Sequence, residues 1–273
     1  MSASFDFTGK QVWVTGAGQG IGYHTALAFV AAGASVVGFD KQFSQSDYPF
    51  QREIVDIADP WQVKRVCEKV LSDTQHLDVL VNAAGILRTG STEELAFADW
   101  QACIAVNAGG AFNLFQQTLP VFRKQRAGAI VTVASNAAHA PRIGMSAYGA
   151  SKAALRSLCM TVALEMAPYG VRCNIVSPGS TDTAMQRSLW QTPEDEQQMI
   201  AGYPEQYKLG IPLGKIARPD DIASAVMFLA SESASHIITQ DIVVDGRSEE
   251  HTSELPGRSV LVCRLLLDTT MYV

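Results

Sequence analysis

Val12-Trp-Val-Thr-Gly-Ala-Gly-Gln-Gly-Ile-Gly22 runs from a short apolar stretch into a turn crowded with Gly16, Gly18, Gly20 and Gly22. The apolar run reads as a strand over 11–15, and the stretch from 20 to 32 as the helix that follows. Where a strand passes into a helix through glycines, backbone N–H groups can approach a pyrophosphate, and the positive end of the helix faces it. A lone glycine-rich turn is also simply a tight loop, so its neighbours decide the reading. Ala34-Ser-Val-Val-Gly-Phe-Asp40 supplies a second strand that ends in an acid, about twenty residues past the glycines, where such an acid accepts hydrogen bonds from an adenosine ribose. Asp40 would also repel a 2′-phosphate, which favours NAD over NADP, and Lys41 beside it softens that preference without reversing it.

Outward from this unit, runs rich in Val and Ile alternate with longer helical patterns, the signature of βαβ units and a parallel sheet. Strands are expected near 11–15, 35–39, 53–55, 77–81, 128–134, 171–176 and 240–244, and helices near 20–32, 59–73, 97–124, 146–168 and 219–230. Right-handed crossovers then place helices on both faces. The expected architecture is α/β: a single-domain Rossmann fold, with a seven-stranded parallel sheet between helical layers. The polar segment from about 180 to 210, with Pro193 and Pro204, follows a strand end and reads as a mobile lid over the site. The alternative is an ordinary surface loop with a helix in it.

Tyr148-Gly-Ala-Ser-Lys152, with Ser135 thirteen residues upstream, carries the candidate chemistry. A phenol ionises at about pH 10 and rarely serves as a base near neutrality. A lysine four residues on lies one helical turn along the same face, and its ammonium favours phenolate over phenol. A nearby hydroxyl can hold the oxygen of an alcohol or carbonyl substrate during proton transfer. By itself Tyr-x-x-x-Lys marks a helix face more often than a site; the glycine-rich turn in front of it gives it weight.

With these motifs in order, the chain from Phe5 to Gly246 resembles a short-chain dehydrogenase/reductase. The resemblance rests on Thr15 to Gly22, Asp56 after a short strand, Asn82-Ala-Ala-Gly85, Asn107, Ser135, Tyr148, Lys152 and Pro178-Gly179. Asn82-Ala83 departs from the commoner Asn-Asn opening of that motif. Within the family, Gly85-Ile-Leu-Arg88, Gly110-Ala-Phe-Asn-Leu-Phe-Gln-Gln117, Ala138-His-Ala-Pro-Arg-Ile-Gly-Met-Ser-Ala-Tyr148, Ser177-Pro-Gly-Ser-Thr-Asp-Thr183 and the stretch from Lys208 to Pro219 resemble the dihydrodiol-carboxylate dehydrogenases of catechol siderophore synthesis.

That resemblance implies NAD-dependent oxidation of 2,3-dihydro-2,3-dihydroxybenzoate to 2,3-dihydroxybenzoate, with aromatisation making the step effectively one-way. It implies Tyr148 as acid/base, Lys152 as its electrostatic partner and a ribose ligand, and Ser135 as the anchor of the substrate oxygen. Asn107, inside a long helix, would disrupt local helical bonding and hold a water in a relay toward Lys152; the plainer reading is a buried asparagine satisfied by backbone. For the cofactor the resemblance implies Gly16, Gly18, Gln19, Gly20, Ile21, Gly22 and Asp40, with Asp56 and Ile57 near the adenine. Asn82, Ala83 and Gly85 would line it after the fourth strand, and Pro178, Gly179, Thr181 and Thr183 would meet the nicotinamide end. The substrate carboxylate needs a cation: Arg142 first, then Arg88, then Arg187 or Lys208 from the lid. His139 reads as a loop or surface histidine with no necessary catalytic role. The alternatives are a dehydrogenase for another cyclic alcohol or dihydrodiol, a carbonyl reductase, and a nucleotide-binding protein that has lost catalysis.

The 273 residues are 47% hydrophobic with a net charge of −6, which suits one large α/β domain and argues against general nucleic-acid affinity. An anionic substrate must then be drawn in by local cations. No apolar run is long enough to span a bilayer and the N-terminus reads as no secretion signal. The five cysteines, Cys67, Cys103, Cys159, Cys173 and Cys263, have no metal-ligand spacing and read mostly as buried free thiols. No metal is expected, a cytoplasmic location is, and the family resemblance implies a homotetramer. After Ile242-Val-Val-Asp-Gly246 the family has another glycine and a short end, whereas here Arg247-Ser-Glu-Glu-His-Thr-Ser-Glu-Leu255 follows. That string resembles a translated sequencing-library adapter, so 1–246 is read as the dehydrogenase domain and 247–273 as a non-native tail.

Overall fold

Val12, Trp13 and Val14 are fully buried in strand β1 (Gln11–Thr15), because both faces of its sheet are covered. The computed structural model describes residues 5–248 apart from 75, 191, 193, 207 and 209. Pro193, Cys263 and the expected tail beyond residue 248 therefore lie outside the described residues. In chain order, β1 leads to α1 (Gly20–Ala31), β2 (Ser35–Asp40), β3 (Gln51–Ile54), α2 (Pro60–Thr74), β4 (Val79–Asn82) and α3 (Phe97–Cys103). A π-helical turn, Ile104–Gly109, passes into α4 (Gly110–Gln125), β5 (Gly128–Val133) and α5 (Ser146–Met166). β6 (Val171–Pro178), α6 (Ala184–Arg187), α7 (Asp195–Ala201), α8 (Pro219–Ala230) and β7 (Asp241–Val244) complete the fold.

All seven strands pair in parallel, in the order β3-β2-β1-β4-β5-β6-β7. The order reverses between β1 and β4, and in open α/β sheets the crevice beyond the strand ends at such a switch point is where ligands bind. Successive side chains of a strand face opposite ways, so Trp13 joins a core with Phe39, Leu80, Phe115 and Leu155 under α2, α4 and α5. Val12 and Val14 join Phe29, Val81, Ile222 and Val226 under α1 and α8 on the other face.

Two expectations change in detail. The helix expected over 97–124 is broken at the π-turn that contains Asn107, a change invisible to the hydrophobic period because the chain stays helical throughout. β3 spans Gln51–Ile54 and β4 spans Val79–Asn82, each displaced by about two residues from its expected place. The segment after β6 contains two short helices, α6 and α7. Cys67, Cys103, Cys159 and Cys173 are buried free thiols, and burial pushes the Cys67 thiol up to about 12, leaving it inert.

Candidate active site

The glycine-rich turn is locked onto the end of β4. Gly16 has φ +69°, and a Cβ there would lie 2.8 Å from the Ala84 backbone, so only glycine fits. The Thr15 hydroxyl accepts the N–H groups of Ala83 and Ala84 at 3.1 and 3.2 Å, fixing these two segments to one another. Asn82 donates to Thr132 Oγ1, while its buried Oδ1 has no hydrogen-bond partner among the described residues. From β2, Asp40 Oδ2 accepts Gly18 N–H at 2.9 Å and Oδ1 accepts Gln42 N–H at 3.2 Å. Gln19 precedes α1 without a side-chain cap, and Gly20 and Gly22 carry the chain into that helix, with Ile21 on the wall of the adjoining cavity.

Lys41 has a partner that sequence reading overlooked. Its ammonium lies 2.8 Å from Asp56 Oδ2, and Asp56 also accepts the N–H of Ala58. The cation next to Asp40 is thus already held by the acid expected near the adenine. Ile57 is buried, and its carbonyl accepts from Asn113.

Helix α5 sets Tyr148 and Lys152 one turn apart, with Lys152 Nζ 5.8 Å from the centroid of the Tyr148 ring. Ser135, just past β5, caps a short 3-10 turn by accepting from Ala137 N–H and hydrogen-bonds the Tyr148 phenol. Lys152 is buried and donates to the Val133 carbonyl at 3.0 Å; burial lowers its pKa to about 8. The lysine was expected to hold the phenol ionised, but the phenol's surroundings act the other way. Burial pushes the Tyr148 phenol above its ordinary 10.0, opposed by the Ser135 hydrogen bond and the Arg142 charge.

Asn107 is satisfied by its neighbours: Oδ1 accepts Ile86 N–H at 2.8 Å, and Nδ2 donates to the Ile86 carbonyl and to Ser151 Oγ at 3.0 and 2.8 Å. Both amide protons are used, so the plainer reading describes its side chain, which ties the π-turn to the strand-end loop and to α5. A Cβ on Gly85 would lie 3.2 Å from Asn107 Oδ1 and 3.3 Å from Lys152 Nζ. The missing side chain leaves a floor between Asn107 and Lys152.

A cavity of about 200 Å³ opens here, walled by Gly85, Ser135, Tyr148, Lys152, Pro178, Gly179, Thr181 and Thr183 and roofed by Met185, Met199 and Tyr203 of the segment after β6. Thr181 donates to the Gly179 carbonyl, and Thr183 caps α6 by accepting from Gln186 N–H. Thr183 also reaches the glycine-rich turn, 3.4 Å from where a Gly20 Cβ would stand. Of the four cations considered for a carboxylate, Arg142 and Lys208 line this cavity. Arg88 does not: it pairs with Asp99 and donates to the Leu87 carbonyl. Arg187 does not either, because it forks onto Asp182 at 2.6 and 2.8 Å.

His139 sits in a loop, as expected, but is only partly exposed. Its Nε2 lies 2.9 Å from Asp241 Oδ2, the two side chains being 16% and 5% exposed, and Ser177 and Arg156 bind the same carboxylate. Asp241 is distant in sequence, so nothing near His139 could announce the pair. At the far end of the described chain, Ser248 lines the cavity and bonds Asp245 and Asn136. Among the described residues no cluster of His, Cys, Asp and Glu could hold a metal ion, and no helix is long and apolar enough to cross a membrane.

The chain belongs to the short-chain dehydrogenase/reductase family of oxidoreductases, whose dehydrogenases use a nicotinamide cofactor. Residues 16–246 match the family model described as enoyl-(acyl carrier protein) reductase. It is 67% identical over 243 residues to the 2,3-dihydro-2,3-dihydroxybenzoate dehydrogenase of Escherichia coli (strain K12), covering 89% of this chain and 98% of that one. The corresponding Bacillus subtilis (strain 168) dehydrogenase is 39% identical, covering 87% and 95%. Among solved structures, ligand-free aldohexose dehydrogenase from Thermoplasma acidophilum superposes with a TM-score of 0.81 at 31% identity, covering 89% and 95%. The site fits a nicotinamide dinucleotide: the bare floor at Gly85, which a Cβ would fill against Asn107 and Lys152, borders the space such a group needs.

Proposed function

We propose that this chain oxidises 2,3-dihydro-2,3-dihydroxybenzoate to 2,3-dihydroxybenzoate with NAD, in catechol siderophore synthesis. The observation that carries the reading is the 67% identity across nearly the whole length of the Escherichia coli dehydrogenase. The geometry supports it. Ser135 and Tyr148 stand side by side at the cavity wall, and Arg142 and Lys208 border the same space. A dinucleotide held by Asp40, the glycine-rich turn and Lys152 would supply the hydride acceptor and a positively charged ring.

The chain's own residues do the rest. Ser135 holds the substrate hydroxyl against Tyr148, which, once its own phenol proton has passed to solvent, takes the hydroxyl proton on its phenolate oxygen. Lys152, fixed by the Val133 carbonyl, keeps a positive charge one turn below and favours the phenolate as the proton moves. Arg142 neutralises the substrate carboxylate with a planar fork, and Lys208 adds charge from the roof. Asp40, accepting from Gly18 and Gln42, presents its carboxylate to the adenosine ribose. That, together with the capture of Lys41 by Asp56, favours NAD over NADP. Asn107 holds the floor and Thr181 and Thr183 border the nicotinamide end.

The test is NAD⁺ reduction with the dihydrodiol carboxylate and with the same ring lacking the carboxylate. Turnover of the first with little of the second is expected, and Tyr148→Phe should lose about 10²–10⁴ in kcat. Equal turnover of both diols overturns the substrate assignment and favours a general dihydrodiol dehydrogenase.

We also propose a cytoplasmic homotetramer. Phe112 on α4 and Leu164 on α5, 48% and 67% exposed, support an apolar contact between copies. Residues 247–273 are, in the same reading, foreign to the domain: the family match stops at Gly246, and Arg247 takes φ +67°, a conformation suited to glycine. Sequencing the gene across the Gly246 codon checks this.

A further inference from the structure

The loop between β2 and β3 folds back over the glycine-rich turn, and Tyr48 is its hub. The Tyr48 hydroxyl donates to the Gly18 carbonyl at 3.0 Å, and the residue is only 7% exposed. The same oxygen accepts Gln45 N–H at 3.3 Å. Its ring meets Tyr23, Phe43 and Phe50 edge-on, with centroids 5.5, 5.1 and 5.4 Å away. The Gly18 N–H, in the preceding peptide unit, donates to Asp40 Oδ2 at 2.9 Å. Both backbone polar groups of Gly18 are therefore spoken for, and its N–H, the one of the two that could donate to a phosphate, is already held by Asp40. The packing is close: a Cβ on Gly18 would stand 2.9 Å from Asp40 Oδ2.

We infer that Tyr48 is a positioning residue for adenosine recognition, holding the Gly18 peptide so that Gly18 in turn aims the Asp40 carboxylate at the ribose. The inference rests on the NAD reading proposed above. A carboxylate whose second oxygen is fixed by a rigid peptide presents its remaining lone pairs in one direction, and one on a loose peptide does not. Loss of the Tyr48 hydroxyl frees the Gly18 carbonyl, lets the turn rotate, and blurs the distinction between a ribose 2′-hydroxyl and a 2′-phosphate. The aromatic ring stays, so the packing of the loop survives.

The experiment measures binding of ADP-ribose, 2′-phospho-ADP-ribose and 2,3-dihydroxybenzoate to the full chain by calorimetry, for the unaltered protein, Tyr48→Phe and Tyr23→Phe. Tyr23 belongs to the same cluster but its hydroxyl reaches Gln45 Oε1 instead of Gly18. Tyr48→Phe should weaken ADP-ribose by about five- to tenfold, the worth of one hydrogen bond. It should weaken 2′-phospho-ADP-ribose less, leave 2,3-dihydroxybenzoate unchanged, and raise the KM for NAD⁺ with kcat preserved. Tyr23→Phe should bind all three as the unaltered chain does. An unchanged ADP-ribose affinity in Tyr48→Phe overturns the inference. So does equal weakening of all ligands, parallel losses in both variants, or failure of Tyr48→Phe to fold, since each makes the contact merely structural. Failure of the unaltered chain to bind ADP-ribose overturns the NAD reading itself.

Discussion

Lys152 bears a charge in a place that penalises charge. Its pKa of about 8 lies below the free-lysine value of 10.5, so between these two the unfolded chain binds more protons than the folded one and stability rises with pH. Below pH 8 the penalty is fully present. Lys152→Met should therefore abolish activity yet stabilise the protein at pH 7, by up to about 3 kcal/mol. The gain should fade as the pH approaches 10; the raised Tyr148 phenol adds its own dependence only above that. Urea unfolding of both proteins at pH 7 and 9.5 reads this directly, and a Lys152→Met gain that does not change with pH would falsify it. Arg142 makes a different prediction. As a cavity cation within electrostatic reach of the Tyr148 phenol, its change to Ala should raise the KM for the dihydrodiol carboxylate by about 10–100-fold, the scale of a charged hydrogen bond. The ADP-ribose affinity should not move, and an unchanged KM rejects the assignment.

At the scale of elements, the break between α3 and α4 matters more than either helix. Asn107 ties the π-turn to its surroundings, closing a two-way pair with the Ile86 backbone and a third bond to Ser151 on α5. Asn107→Leu strands the part-buried N–H and carbonyl of Ile86 and should cost about 1–3 kcal/mol in chemical denaturation. Asn107→Asp, which keeps the acceptor for Ile86 N–H, should cost less. Strands, helices and the glycine-rich turn were legible because each is announced locally: a run rich in Val and Ile, period 3.6, or glycine at a strand end. The π-turn was not, since one extra residue in a helical repeat leaves the apolar pattern of 97–124 intact. The two short helices after β6 were equally hidden, being too short to show a period.

For the molecule as a whole, the exit from β7 decides how well the chain closes. Gly246 and Arg247 both take positive φ, 62° and 67°, a conformation that costs a side-chain-bearing residue about 1–2 kcal/mol. Part of that is offset by the floppier unfolded chain that glycine brings. Arg247→Gly should raise stability by about 0.5–1 kcal/mol, or a Tm gain of about 1–3 °C at this size, read by calorimetry. Because Ser248 reaches the cavity wall, the tail touches the site as well as the exit from the last strand. A chain ending in Gly246 and one further glycine should sediment as a tetramer and bind 2,3-dihydroxybenzoate at least as tightly as the full chain. A full chain that already forms the tetramer with the same product affinity removes any role for the tail.

The order of strands and helices, the glycine-rich turn and the one-turn separation of Tyr148 from Lys152 are consequences of neighbours along the chain, so the amino-acid order alone determines them. Folding settled the rest: that Arg142 and Lys208 face the cavity while Arg88 and Arg187 turn to Asp99 and Asp182, that Asp56 holds Lys41, that His139 pairs with Asp241, and that Tyr48 braces Gly18. Charge and hydrogen bonding act through space and burial sets their strength, so which partner a side chain takes, and whether a phenol such as Tyr148 ionises, depends on residues that only tertiary packing brings near.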